Sequence, residues 1–136
     1  MKLEQQLVSL ELAKKLKELG VEKKSLFYWW ENKTKGATLH YGEVAGIVKS
    51  VFISAFTVAE LGEMLPQCIY IKEHCFVLRI VKGNAIQKFG YQWMVTFEND
   101  MKQCEIQTTG STVAATEADA RAKMLIYLLE NKLITL

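Results

Sequence analysis

Proline is almost missing from this 136-residue chain: Pro66 is the only one, and glycine is held to eight positions. Disordered tails and flexible linkers are usually rich in one or both, so neither is expected. Long apolar runs are missing too. None reaches the roughly 18 residues needed to cross a bilayer. The opening Met1-Lys2-Leu3-Glu4-Gln5-Gln6 is too polar for a signal peptide. The expectation is a soluble cytoplasmic protein with no membrane partner, residing in a host's cytoplasm if a phage encodes it.

Cysteine is scarce and odd in number. Cys68, Cys75 and Cys104 contain no C-x-x-C pair, which argues against the disulfide framework of small secreted domains. Each falls in a strand-like run, where a free cysteine acts as a small apolar side chain. His74 beside Cys75 invites a metal, but neighbours on a strand point to opposite faces and rarely share one ion. No metal and no cofactor is expected.

A dominant charge is also lacking, since the formal net charge is only +2. Arginine, the side chain best suited to bidentate contacts with phosphate and guanine, occurs only at Arg79 and Arg121. Lysines crowd the first quarter of the chain, from Lys2 to Lys35, but glutamates interleave with them. A helix face so patterned is usually solvated, and nucleic-acid binding there is expected to be weak and non-specific. The chain contains no G-x-S-x-G, no phosphate-binding P-loop and no G-x-G-x-x-G. His40 and His74 have no companion motif, and the H-x-x-E of His40 and Glu43 is near chance. No catalytic residue is identified, and the chain is not expected to be an enzyme.

What is present is a clear alternation of element types. Val8, Leu12, Leu16 and Leu19 fall on one helical stripe that Leu3 and Leu7 extend, and Gly20 follows as a cap. The start of this helix, near Leu3 or at Ser9, is open. Ser25-Leu26-Phe27-Tyr28-Trp29-Trp30 reads as a strand, Glu31 to Gly36 as a hairpin turn, and Thr38 to Tyr41 as the return strand. Val44 to Ile53 reads as a loop leading into a strand. Thr57-Val58-Ala59-Glu60 is a capping box that opens a short helix ended by Pro66, with Val58, Leu61 and Leu65 buried. Two strands follow, Phe76 to Val81 and Tyr91 to Glu98, then a turn at Asn99-Asp100 and a partner strand through Cys104, Ile106 and Thr108. Thr116-Glu117-Ala118-Asp119 is a second capping-box pattern. It opens a last helix striped by Ala118, Ala122, Leu125, Leu129 and Leu133.

These elements predict a single α+β domain over residues 1–136: an antiparallel sheet of about five strands with the N- and C-terminal helices packed on it. The aromatic run Phe27, Tyr28, Trp29 and Trp30 leaves no polar face on its strand. Part of it should therefore form an interaction surface, for a protein partner or a second copy of the chain.

Two resemblances add to this. Glu11-Leu12-Ala13-Lys14-Lys15-Leu16, Gly20-Val21 and Ser25 to Glu31 resemble the opening of a helix-turn-helix regulator of the mercury-regulator kind. That implies a DNA-binding regulator, the alternative reading. Its base-reading positions would be Phe27, Trp29 and Trp30, apolar rings in place of donors, which ranks it second. Leu7 to Gly20, Ile53 to Leu65, Trp93 in its strand and Thr116 to Glu130 together resemble a small phage- and prophage-associated protein family of gut Bacteroidetes. This resemblance implies an accessory protein of a phage or prophage and supplies no activity, cofactor or catalytic residue. The expected function is a non-enzymatic protein-interaction domain.

Overall fold

The computed structural model describes residues 2–32, 34, 36–42, 52–83, 92–99 and 109–136. A 3-10 turn (Leu3–Gln6) leads into helix α1 (Leu10–Glu18), then strands β1 (Phe27–Asn32), β2 (Gly36–Tyr41) and β3 (Phe52–Ser54). Helix α2 (Val58–Met64) precedes β4 (Cys68–Ile71), β5 (His74–Gly83), β6 (Gln92–Glu98) and β7 (Thr109–Ala114), and helix α3 (Glu117–Glu130) comes last. The fold is α+β, as expected. Among the described residues seven strands fall into two antiparallel sheets, ordered β2-β1-β3 and β4-β5-β6-β7, where a single sheet of about five was expected. The division falls at α2: among the described residues the strands before it pair with one another, and so do the strands after it.

Helix α3 holds the two halves together. It packs on β6 and β7 on one side and on α1, α2 and the N-terminal 3-10 turn on the others. Its buried residues, Ala118, Ala120, Ala122, Met124, Leu125, Ile126 and Leu128, run round much more of the helix than a single stripe. The alanines let neighbouring elements approach closely. Gly62 does the same for α2, because a side chain there would meet the Arg121 guanidinium, itself bonded to Glu117 one turn back.

The helix starts show how local signals become tertiary ones. Thr57 and Glu60 form the reciprocal cap expected of them. The Glu60 carboxylate goes further: besides the Thr57 amide, it accepts from the Leu26 amide at 3.2 Å and lies 2.9 Å from the Ser25 hydroxyl. The buried Ser25 hydroxyl has one proton to share between Glu60 and the Ala55 carbonyl, and accepts from the Phe27 amide. At α3 only half of the expected box forms. Thr116 accepts from the Asp119 amide, but the Asp119 carboxylate turns to the Ser9 backbone N–H at 2.7 Å. Ser9 is the N-cap position of α1 and makes no side-chain cap of its own, so Asp119 secures two helix starts at once.

The partner strand expected through Cys104, Ile106 and Thr108 lies outside the described residues, as does 43–51; the strand paired with β6 among the described residues is Thr109–Ala114. The helix-turn-helix geometry is not formed. After Gly20, the segment matching a second helix is extended and enters β1, because four consecutive aromatics favour a strand.

Candidate interaction surface

Strand alternation divides the aromatic run. Phe27 and Trp29 share one face of β1, and Tyr28 and Trp30 share the other. The Trp29 face is the inner one. Its indole N–H donates to the Val8 carbonyl at 2.9 Å, and its register partner Ile53 is buried in the core. Of the four residues proposed as a surface, Trp29 is therefore anchored inward. Phe27 sits at the end of the same face and packs against Tyr41, with ring centroids 5.3 Å apart, and Tyr41 is 75% exposed.

Tyr28 and Trp30 point outward and are joined by residues that the aromatic run alone does not reveal. Phe52 of β3 stacks on Trp30 with ring planes 24° apart and meets Tyr28 edge-on, both at 6.3 Å. His40 of β2 lies 5.6 Å from Trp30 on the other side, oriented by a 2.8 Å hydrogen bond with the Thr38 hydroxyl. The result is a half-exposed platform of Tyr28, Trp30, Phe52 and His40 across all three strands. Among the described residues the helices pack on the opposite face, where Trp29 and Ile53 join the core. Lys17 reaches over β3 to the Phe52 carbonyl, while Lys14 pairs with Glu31 on the other face of β1, the side of Phe27 and Trp29.

The edge of this sheet is equally open. Among the described residues β2 pairs with β1 alone. Its sequence, Gly36-Ala37-Thr38-Leu39-His40-Tyr41, has no lysine, glutamate or proline, and nearly every residue is exposed. Natural edge strands are usually blunted by such residues, because their unpaired N–H and C=O groups template further pairing.

Sheet β4-β5-β6-β7 carries a second cluster on its outer side. Cys68, Tyr70 and Cys75 interact there. The Tyr70 hydroxyl is held above the ordinary range by the Cys75 charge first and Cys68 next, and the Cys75 thiol is pushed up by partial burial and then by Cys68. His74 stands opposite Ile71, on the other face of β5 from Cys75, as expected of strand neighbours. Among the described residues no three His, Cys, Asp or Glu side chains converge as a metal cluster. No helix among the described residues is long and apolar enough to cross a membrane. Comparison with protein-family models, with curated proteins and with solved structures finds no match to this chain.

Proposed function

We propose that the chain is a non-enzymatic interaction domain that binds through the outer face and open edge of sheet β2-β1-β3, with a second copy of itself as the first partner. The observation that carries this is the outward platform of Tyr28, Trp30, Phe52 and His40. Aromatic rings are enriched at the centres of protein interfaces. The uncharged β2 edge suits a second copy, since two such strands can pair antiparallel across a twofold axis with no like charges opposed. The resemblance to a phage- and prophage-associated family supports placing this binding in an accessory role there.

Light scattering over a dilution series tests it. A compact monomer of this length has a radius of gyration of about 14 Å, and a dimer is clearly larger. Wild type should be dimeric at high concentration, and Trp30→Glu should shift it to monomer without lowering its melting temperature. A wild type that stays monomeric at every concentration would sink the self-association reading.

A further inference from the structure

The β4–β5 hairpin sets two thiols on one side of a sheet. Cys68 stands opposite Val77 and Cys75 opposite Tyr70. Opposed residues share a face, so Cys68 and Cys75 are diagonal neighbours on the same side, with Tyr70 beside them. This is the side away from the core, because Ile69 and Phe76, the alternate residues of the two strands, are buried in it. Both cysteines are free and half-exposed, and Tyr70 is 71% exposed.

What such a pair can hold follows from spacing. Diagonal positions are about 7–8 Å apart in an antiparallel sheet. A disulfide needs Cα atoms within about 6.8 Å and sulfurs about 2 Å apart, so closing one would require the strands to move. A metal ion asks less. A thiolate–metal bond is about 2.3 Å long, so one ion between two sulfurs spans about 4.6 Å. Zinc would need four ligands, and the described residues offer no third one of the usual kinds. Copper(I) is satisfied by two soft thiolates in a line, and thiolate ligands select it.

We propose that Cys68 and Cys75 form a two-thiolate site for a soft monovalent ion of the copper(I) class, bridged between the diagonal sulfurs on the exposed side of the hairpin. Binding exchanges two S–H bonds for two S–Cu bonds. Two protons leave to solvent, copper stays monovalent, and the site ends with one net negative charge. Nothing is oxidised or reduced.

The test is an anaerobic titration of the reduced full chain with copper(I) held by a chromogenic chelator. Wild type and Cys104→Ser should each withdraw one equivalent. Cys68→Ser and Cys75→Ser should each withdraw none, while circular dichroism and melting curves match wild type. Cys68→Ala and Cys75→Ala repeat the measurement should either serine variant melt early. Absence of uptake by wild type, uptake surviving loss of Cys68 or Cys75, or loss of uptake in Cys104→Ser would each overturn the site.

Discussion

At the scale of single residues, two adjacent tryptophans of the same strand have opposite duties. Trp29 spends its only polar atom on the Val8 carbonyl, in a stretch where Leu7 and Val8 are buried. Trp30 stacks on Phe52 at the surface and, among the described residues, makes no such bond inward. Alternation along a strand made it certain that one of them would face out, but not which. That choice depends on where α1 and the N-terminal turn pack, which no local pattern encodes. Phe52 and His40 carry no local signal for the same reason: they join the platform only through the registers Trp30↔Phe52 and Tyr28↔His40. A pair of variants separates the roles. Trp29→Phe keeps most of the ring but strands the Val8 carbonyl, and should cost about 1–3 kcal/mol in denaturant melts, the usual penalty for a buried polar group left unpaired. Trp30→Phe should change stability by less than about 0.5 kcal/mol, as surface substitutions do.

Among the elements, those with a strong local signature were legible. Strand β6 spaces Trp93, Val95 and Phe97 at every second position, though Thr96 between them is buried as well, α2 begins with a capping box that forms as written, and Pro66 stands two residues beyond its end. The hairpin of β4 and β5 was not legible as a hairpin, and its turn explains why. Ile71 pairs with His74, so the loop is Lys72-Glu73 alone. Both residues have positive φ, 48° and 70°, the pattern of a type I′ turn that favours asparagine and glycine. A Lys-Glu pair carries no such signal, and the thiols at Cys68 and Cys75 therefore looked unrelated. Strand β7, with Gly110 and small hydroxyl side chains in Thr-Gly-Ser-Thr, is equally quiet. The turn carries strain because the left-handed region costs a side-chain-bearing residue about 1–2 kcal/mol. Glu73→Gly should relieve part of it and raise stability by about 1 kcal/mol, read as a higher denaturant midpoint with an unchanged slope. A loss of stability would mean that the Glu73 side chain contributes more than its backbone conformation costs.

For the molecule as a whole, the question is whether two sheets make one cooperative unit. Among the described residues they share no ladder, and the order of strands keeps β3 and β4 in separate sheets. What joins them is α3, which touches β6 and β7 of one sheet and reaches the other through α1, itself packed on β3. Leu125 lies midway along that helix and is fully buried, in a core that also holds Leu16, Leu61 and Phe97. Leu125→Ala should cost about 2–5 kcal/mol, the range for emptying a packed leucine site. Natural domains have only about 5–15 kcal/mol in total, so the loss is a large share. Because α3 connects both sheets, the loss should be felt by both together. Trp29 and Trp30 report on one sheet and Trp93 on the other, so fluorescence can follow each in turn. With Trp93→Phe as background the signal comes from sheet β2-β1-β3, and with Trp29→Phe and Trp30→Phe combined it comes from sheet β4-β5-β6-β7. On either background, adding Leu125→Ala should move the fluorescence midpoint by the same amount as the circular-dichroism midpoint, the mark of a two-state transition. A midpoint that moves in one sheet and stays in the other would show that the sheets unfold independently and that α3 belongs to only one of them.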